Sequence, residues 1–541
     1  MSFHLAFVSS VHQPARSSTS SLLGNLVANR GTIRISAIAL RSTIASALLL
    51  AGAVSGDCSN KLAVSYPAPV AAQGWSYQLV ANGFTKPRGI QFDHDGGLLV
   101  IDAGAGLVHL SLKDDGNTCV SVDKKTTLLA SKEARKRLCA GVPGPLSTPY
   151  KTEQGKKDFA NRELQLNHGI ALTEDGKTLY ASSADKVYEW TYDSKAVTLG
   201  DANRTIVTKM STSDHTTRTL LLSRKKPGIL LVSCGSQSNE DSKARYLDSG
   251  HSQIRSFDLS QLSSGSGSGS SSSSSATPYA YLDGHVIGWG LRNSVGVAED
   301  PSTGGLWSVE NSVDGLHRKG RDIHQDNPAE ELNYHGTVGG GSANKTTQGG
   351  NYGYPVCYAI WSTANFPDLG ALTTASQFRD DNAPGNVTDA ACKDNYVAPR
   401  LAFQAHTAPL DIKFDADGAN AYVSFHGSWN RDAPVGYRIA RVAFKDGQPA
   451  AARDSMDAAV DVLATKDLSN CPDRCFRPVG LAWDAKGRLW FSSDSTGEIF
   501  VMQHRGSSGG DAKVGKSVAG RRAPELAVVA FVVTAVAAFL S

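Results

Sequence analysis

Residues 480–493 read GLAWDAKGRLWFSS, a glycine followed by two apolar runs on either side of the turn residues Asp-Ala-Lys-Gly. Alternating apolar residues around a short turn of this kind predict a β-hairpin. The same order of apolar run, turn and apolar run recurs at 89–102 (GIQFDHDGGLLVID), 169–183 (GIALTEDGKTLYASS), 220–233 (LLLSRKKPGILLVS), 296–310 (GVAEDPSTGGLWSVE) and 410–425 (LDIKFDADGANAYVSF). Most of the six copies are followed by a third strand-like run.

Six such units predict an all-β fold, a six-bladed β-propeller, because a single unit cannot bury its own faces and radial stacking covers them. Two separate β-sandwiches are the alternative. The uneven spacing of the units fits long insertions. Residues 265–275 are a Gly/Ser tract that predicts a flexible loop, and the basic segment 132–157 predicts a surface excursion. The polar insertions 301–357 and 368–400 are expected to crowd one face and build a site there.

Both ends of the 541-residue chain have the composition of processing signals. The apolar stretch 44–54, preceded by arginines, predicts a secretory signal peptide over residues 1–56, with an uncleaved anchor as the alternative. The final apolar run, after a polar spacer and a cluster of small residues, predicts a linker and GPI-attachment signal over residues 506–541, with a spanning tail as the alternative. The propeller domain is then expected over residues 57–505, outside the cell and membrane-bound by a lipid anchor only.

The eight cysteines fit such a compartment, where an even number predicts disulfides. The sequence leaves their connectivity open. The expected pairs are Cys357–Cys392 and Cys471–Cys475, which close short loops, and as a third candidate Cys58–Cys119. Glycan acceptors are expected at Asn203, Asn344 and Asn386. With a net charge of only +3 and no basic run interleaved with aromatic residues, nucleic acid is not an expected partner.

Arginines, histidines and amides recur at the edges of the six units, most of them directly before an apolar strand. Corresponding positions of successive blades converge on the axis of a propeller, so we expect one pocket lined by these side chains. A planar polycarboxylate ligand would compensate the charge of the arginines, because guanidinium groups pair with carboxylates. The candidates are Arg88, Asn167, His168, His215, Arg218, Arg292, Asn293, His406, His426, Trp429, Arg431 and Arg477.

A second group of candidates follows the fourth hairpin, in the sequence ENSVD at 310–314 and EELN at 330–333. Acidic and amide oxygens with loop carbonyls are the ligands that calcium prefers, although the spacing is not that of an EF-hand. A solvated acidic turn is the alternative. The candidate ligands are Glu310, Asn311, Ser312, Val313, Asp314 and Glu331.

These segments resemble the soluble quinoprotein glucose/sorbosone dehydrogenases, most closely the fungal pyranose dehydrogenases of auxiliary-activity family 12. The resemblance runs from about residue 66 to residue 503. Its most specific segments are GWGLRNSVG at 288–296, EELN at 330–333, GGNYGYP at 349–355 and FHGSWNR at 425–431. It implies that pyrroloquinoline quinone (PQQ) is held over the propeller axis and that a calcium ion polarises its C5 carbonyl. A histidine is implied to take the proton of the sugar's anomeric hydroxyl as hydride moves to the quinone.

The resemblance also implies roles for single residues. His215 lies in DHTTR, a segment similar to that of the family's catalytic base, and His406, in a segment that contacts PQQ, is the second candidate. Arg292, Asn293 and Arg477 match cofactor contacts of the family. The calcium loop is matched by position only, because the Gly-Pro of the bacterial proteins reads Ser-Val here.

Oxidation of a sugar, with electrons passing to a separate haem protein, copper oxygenase or quinone, is therefore the expected function. A calcium-dependent propeller lactonase and a non-catalytic binding propeller at the cell surface are the alternatives. The arginine cluster favours the dehydrogenase over the lactonase, since a lactonase needs calcium ligands but no carboxylate clamp. The two histidines in matching segments weigh against a binding propeller.

If the C-terminal segment directs lipid transfer near Ser508, phosphatidylinositol-specific phospholipase C should release the protein from intact cells into the medium. The reason is that the last apolar run ends at Ser541 with no basic segment after it. A chain ending at Arg505 should be secreted freely. Release by detergent alone, after no effect of the phospholipase, would contradict a cleavable lipid anchor.

Overall fold

The computed structural model describes residues 58–131, 164–263, 277–339 and 348–505. The predictions for residues 1–56, 132–157, 265–275, 506–541 and Asn344 lie outside these ranges. Six sheets of four or more strands contain the six predicted hairpins, one hairpin in each sheet. None of the helices in the described ranges is long and apolar enough to span a bilayer.

Each blade begins with the first strand of a hairpin and adds its other strands outward from the axis, in sequence order except that the outermost strands of blades 5 and 6 come from the beginning of the domain. The strands are, for blade 1, Pro87–Phe92, Leu98–Asp102, Gly106–Asp114 and Val120–Ala130; for blade 2, Ile170–Leu172, Thr178–Ser182, Val187–Asp193, Arg204–Thr208 and Tyr279–Ala280; for blade 3, Leu220–Leu222, Ile229–Cys234, Gln253–Asp258, His285–Trp289 and Gly350–Asn351; for blade 4, Ser294–Glu299, Gly305–Glu310, Glu330–Thr337 and Leu401–Phe403; for blade 5, Pro409–Phe414, Asn420–Phe425, Arg438–Lys445, Ala459–Ala464 and Val70–Ala71; and for blade 6, Pro478–Trp483, Leu489–Ser493, Glu498–His504 and Trp75–Ala81.

The remaining elements lie at the blade edges or in the insertions. They are the short strands Thr198–Leu199 and Gln448–Pro449, the ribbons His317–Arg318 with Arg321–Asp322 and Cys357–Ala359 with Gln377–Arg379, the α-helices Ser260–Ser263 and Asp389–Asn395, and the 3₁₀ turns Ser242–Arg245, Leu247–Ser249, Tyr281–Asp283 and Leu468–Asn470.

The ring of blades is closed by a strand from the beginning of the domain. Strand Trp75–Ala81 pairs antiparallel with Glu498–His504, so the first and last parts of the domain share blade 6. The innermost strands also contact one another in cyclic order, from blade 1 through blade 6 and back to blade 1. The predicted six-bladed propeller is therefore confirmed, and two separate sandwiches are excluded.

Glycine at the start of an inner strand allows neighbouring blades to approach closely at the axis. A Cβ on Gly89 would lie 2.1 Å from the carbonyl oxygen of His168, and a Cβ on Gly480 would lie 2.2 Å from that of Arg88. Side-chain hydroxyls join the same backbones, since Ser492 Oγ donates to the Arg88 carbonyl at 2.6 Å. The recurring glycine and serine of the repeat thus hold adjacent blades together.

Apolar side chains fill the spaces between blades. Between blades 4 and 5, Trp307 meets Phe444 edge to face at a centroid distance of 5.1 Å, and Phe403 meets Phe425 in the same way at 5.2 Å. These side chains are almost wholly buried. Burial of apolar area between blades is the main stabilising contribution to a fold of this kind.

All three proposed disulfides are present: Cys58–Cys119, Cys357–Cys392 and Cys471–Cys475. Cys234, which the even count placed among the disulfides, is instead a buried thiol on the second strand of blade 3. Cys139 lies outside the described residues. Of the expected glycan acceptors, Asn386 is exposed and Asn203 is half-buried.

Candidate active site

The inner strands carry an irregularity at one end that turns their first residues towards the axis. In four blades the strand register shifts at this point, between Pro87 and Ile90 in blade 1, and likewise in blades 4, 5 and 6. A bulge of this kind re-aims a side chain and is common beside active sites. Arg88 lies within the irregular part of blade 1.

A cavity of ≈ 620 Å³ is lined by Arg88 and by residues of the other blades. It combines arginine, histidine, amide and carboxylate side chains with apolar contacts from Val295 and Leu410. The residues predicted from the sequence that line it are Arg88, His215, Arg292, Asn293, Asn311, Ser312, Asp314, His406, His426, Trp429 and Arg477. The cavity therefore brings together both groups of candidates, from the arginine set and from the loop that follows blade 4's second strand.

Arg88 is fixed by an acidic partner from the neighbouring blade. Its Nη1 lies 2.7 Å from Oδ2 of Asp494, and the other carboxylate oxygen lies 2.7 Å from Nε2 of His426. Burial lowers the pKa of His426 to about 4, although the carboxylate opposes this shift. For Asp494, burial alone would raise the pKa, but the contacts from His426 and Arg88 outweigh it and hold the pKa well below its usual range. At neutral pH the His426 imidazole is therefore uncharged, and Arg88 and Asp494 form an ion pair.

Arg477 has no such partner. Its Nε donates to the carbonyl of His426 at 3.2 Å, its Nη2 donates to that of Gly427 at 2.8 Å, and the guanidinium lies over the ring of Tyr437. Across the described part of the chain, no carboxylate forms an ion pair with it. Carbonyl oxygens orient this side chain but do not neutralise it, so its charge is available to an anion in the cavity.

Asn239 joins the third arginine to the acidic loop. Its Oδ1 accepts from Arg292 Nη2 at 2.8 Å and from the backbone N–H of Asp314 at 2.9 Å. Its Nδ2 donates to the Asp314 carbonyl at 2.8 Å, and its own carbonyl accepts from Arg292 Nε and from the Tyr354 hydroxyl. One side chain thus sets the position of the Arg292 guanidinium relative to the 310–314 loop.

Both ring nitrogens of His406 are engaged by protein atoms. Nε2 contacts the carbonyl of His324, so it carries the proton, and Nδ1 lies 3.2 Å from Asn430 Nδ2. Nδ1 also lies 3.6 Å from Oδ1 of Asp314. His406 adopts a left-handed backbone conformation with φ of 63°. The imidazole is therefore held in place on both sides.

His215 is held on one side only. Its Nδ1 lies 2.8 Å from the Ser236 hydroxyl, whereas Nε2 has no hydrogen-bond partner among the residues that the structure describes. Burial, together with the charge of Arg292, lowers the pKa of the imidazole to about 4. At neutral pH this histidine presents an uncharged ring with a free nitrogen beside the cavity.

Glu330 also lines the cavity. Its two oxygens accept from the backbone N–H groups of Ser312, at 2.7 Å, and Ala408, at 3.2 Å, which ties the acidic loop to the segment that carries His406. Burial raises the pKa of the carboxyl to about 7.

The geometry agrees with the comparisons to known proteins. A model of the TrAA12-like family matches residues 69–142 and 148–505. The chain belongs to this family. A PQQ-dependent sugar dehydrogenase of Hypocrea jecorina is 50% identical over 464 residues, which are 85% of this chain and 95% of that protein.

Solved structures of similar sequence have the same fold as this chain. The calcium structure of a Trichoderma reesei protein of family AA12 is 52% identical with a TM-score of 0.73 and covers 82% of this chain and 99% of its own. The holo form of the PQQ domain of a Coprinopsis cinerea pyranose dehydrogenase is 34% identical with a TM-score of 0.68, over 81% of this chain and 97% of its own.

Several predicted residues lie outside the cavity of this TrAA12 member. Arg218 is fully buried, and its guanidinium donates to carbonyls of its own loop, including that of His215 at 2.7 Å. Arg431 contacts Gln325 and Asp326. Asn167 donates to the Thr216 carbonyl. The set that does not line the cavity is Asn167, His168, Arg218, Arg431, Glu310, Val313 and Glu331.

Of the two adjacent glutamates in EELN, Glu330 lines the cavity, whereas Glu331, the predicted calcium ligand, does not. Successive side chains of a strand point to opposite faces, so the neighbour of a cavity residue in strand Glu330–Thr337 faces away. Glu331 and Glu310 both accept from the amide of Asn333 in the protein interior. Val313 is buried in an apolar cluster with Leu316 and Tyr354. No group of three or more His, Cys, Asp or Glu side chains in the described ranges forms a metal cluster.

Sequence reasoning missed Asn239 and Asp494. Asp494 directly follows the second strand of blade 6 in WFSSDS, whereas Asp102 of blade 1 is the last residue of its strand and corresponds to Ser493, so the repeat did not mark Asp494. Asn239 lies in a loop after blade 3's second strand, in a segment that no other blade repeats, so nothing in the pattern marked it.

Proposed function

We propose that this protein oxidises a pyranose sugar at its anomeric carbon, with PQQ as the cofactor, calcium at the acidic loop and a separate protein or quinone as electron acceptor. The observation that carries the proposal is a single cavity in a TrAA12 propeller lined by three arginines, one of which has no acidic partner. The relatives named as PQQ-dependent sugar and pyranose dehydrogenases support the same reaction.

The arginines fit a polycarboxylate. Arg88 and Arg292 are each oriented by one internal carboxylate, and Arg477 is oriented by carbonyls alone. The positive charge of Arg477 has no acidic partner in the described residues, and a carboxylate of a ligand would neutralise it. When bound, PQQ supplies a quinone that accepts two electrons and a proton. A lactonase has no need for such a clamp, so the arginines favour the dehydrogenase.

Calcium would be held by oxygens of the 311–314 loop. Asn311 uses its Nδ2 to donate to the Pro409 carbonyl at 2.7 Å, and its Oδ1 has no partner in the described structure. The same holds for the hydroxyl of Ser312, and both residues line the cavity with Asp314. Hard oxygen donors from one loop suit calcium, which would act there as a Lewis acid.

His215 is the proposed base. A base needs an unprotonated nitrogen that can reach the substrate hydroxyl, and His215 lines the cavity with an Nε2 that has no protein partner among the described residues. His406 has both nitrogens engaged, which favours a role in holding the Asp314 loop. Trp429 is 71% exposed at the cavity mouth, where an aromatic face would pack against a pyranose ring.

We also propose that the protein is secreted and held at the cell surface by lipid. Three disulfides in the described structure support an oxidising compartment.

The function is tested by titrating the apoprotein with PQQ in the presence and absence of calcium. We expect saturable binding by calorimetry that is stronger with calcium, and sugar-dependent dye reduction that appears only after PQQ is added. Arg477→Gln should weaken PQQ binding, because the ligand then loses the one uncompensated guanidinium. Absence of binding heat for the wild-type protein with calcium present would overturn the proposal.

The base is tested with His215→Ala. Turnover should fall by about 10²- to 10⁴-fold with PQQ affinity largely kept, since a positioned base contributes that much. His317→Ala, at an exposed histidine outside the cavity, is the matched control and should be silent. If His406→Ala removes turnover and His215→Ala does not, the two roles are reversed.

The same histidine sets the pH dependence. The pKa of His215 is lowered, so the neutral imidazole persists below pH 6.5 and is lost only as the pH falls towards about 4. We therefore expect kcat/KM to stay constant from neutral pH down to about pH 6.5 and to fall as the pH is lowered further towards about 4. An acid limb with a midpoint above pH 6.5 would be inconsistent with His215 as the base.

Asn239→Ala should weaken PQQ binding by about 10- to 100-fold. The change removes three hydrogen bonds that align Arg292 with the acidic loop, each of which contributes about 1 kcal/mol. Asn382→Ala, at an exposed asparagine, is the control and should leave the affinity unchanged. Equal PQQ affinity for Asn239→Ala and the wild type would show that this side chain does not position the arginine.

A further inference from the structure

A chain of three polar side chains lies outside the central cavity, between blades 2 and 3. Oδ2 of Asp241 is 2.6 Å from Nδ1 of His251, and Nε2 of His251 is 3.4 Å from the hydroxyl of Ser211. Asp241 and His251 are buried, whereas Ser211 is exposed. Because Nδ1 faces the carboxylate, that nitrogen carries the proton and Nε2 accepts from the serine.

The carboxylate is fixed in its charged form. Asp241 also accepts from the backbone N–H groups of Gln237, at 2.8 Å, and Lys243, at 3.0 Å. Burial alone would raise its pKa, but the hydrogen bonds from His251 and from Gln237 outweigh burial and lower it. An ionised aspartate that orients an imidazole towards a serine is the arrangement that activates serine as a nucleophile.

A second aspartate–histidine pair in this chain shows what a purely internal network looks like. Asp93 contacts His109 at 3.1 Å and accepts from the Tyr192 hydroxyl at 2.7 Å, and all three side chains are buried. Blade 3's pair instead ends at a hydroxyl in contact with solvent. A substrate can therefore reach Ser211, whereas the three side chains of the Asp93 network are all buried and out of its reach.

The backbone beside Ser211 is held rigidly and offers a donor. Arg218 bonds the carbonyl and hydroxyl of Thr212, at 3.3 and 2.6 Å, which anchors the segment directly after the serine. The backbone N–H group of Thr212, directly after the serine, contacts no acceptor in the ranges that the structure describes. Free N–H groups next to a nucleophile are what stabilises a developing oxyanion.

Exposed apolar side chains lie in the segment that follows the strand paired with the one before Ser211 and in a loop linked to it. Strand Arg204–Thr208 pairs in parallel with Tyr279–Ala280, with Thr208 opposite Ala280, so Ser211 and Leu282 leave the same end of the pair. Leu282 is exposed, as is Leu247, and Arg255 bonds the carbonyls of both. An apolar surface next to the nucleophile would accept a short acyl chain.

We propose that Ser211, His251 and Asp241 form a hydrolytic site for carboxylic esters with short apolar acyl groups, separate from the central cavity. Ser211 Oγ attacks the ester carbonyl carbon while its proton passes to Nε2 of His251. The bond to the alcohol oxygen breaks as that oxygen takes the proton. Water then attacks the Ser211 ester and releases the carboxylic acid, which restores the free serine and the neutral histidine.

The test uses the full-length protein without added PQQ and the ester p-nitrophenyl butyrate. Ser211→Ala should lower the rate of p-nitrophenolate release by at least about 100-fold, the lower end of what a positioned acid–base pair contributes. Ser213→Ala is the matched control, since Ser213 is also exposed but its hydroxyl contacts Gln237 and no histidine. Thermal unfolding of both variants should match that of the wild type.

A second measurement needs no variant. A fluorophosphonate should label Ser211 covalently, and fragmentation of the tryptic peptide 210–218, which contains both serines, should place the label on Ser211 and not on Ser213. Label on Ser211 together with the selective loss in Ser211→Ala supports the site. No label on Ser211, or equal rates for Ser211→Ala and Ser213→Ala, would overturn it.

Discussion

The close approach of inner strands at the axis is the constraint on which the rest of the structure depends. At Gly89, Gly169 and Gly480 a carbonyl oxygen of a neighbouring blade occupies the place that a Cβ would take. Any other residue there would push two blades apart. Since Arg88 directly precedes one of these glycines, the same region of the repeat that closes the ring also brings a guanidinium to the cavity. In blade 1, close packing and the cavity therefore depend on adjacent residues of the repeat.

Charge is distributed unequally among the three arginines that line the cavity. Asp494 compensates Arg88 and Asp314 compensates Arg292, whereas Arg477 has carbonyl partners only. A charge partly removed from water without a partner is unfavourable, so a carboxylate of the proposed ligand would complete the site at the half-buried Arg477. The buried histidines add no positive charge to the cavity at neutral pH, because burial lowers the pKa of His426 and of His215 and leaves both neutral.

The sequence predicted the fold because its signals are local. Alternating apolar runs around Gly-containing turns depend on neighbours a few residues away, and each unit repeats them. The site was predicted less completely, because its side chains meet across blades. Arg88 and Arg218 look alike in the sequence, both just before an inner strand, yet Arg88 finds its partner on another blade and Arg218 within its own loop. Only tertiary contacts separate the two.

The proposed base and the arginine clamp are linked electrostatically. The charge of Arg292 is, after burial, the main cause of the lowered pKa of His215. A carboxylate of a bound ligand that pairs with Arg292 would cancel much of this effect, since an opposite charge nearby favours the protonated imidazole. His215 would then be a weak base in the empty cavity and a stronger one beside a bound cofactor. The proposed base would thus gain strength once the cofactor is bound, without any movement of the chain.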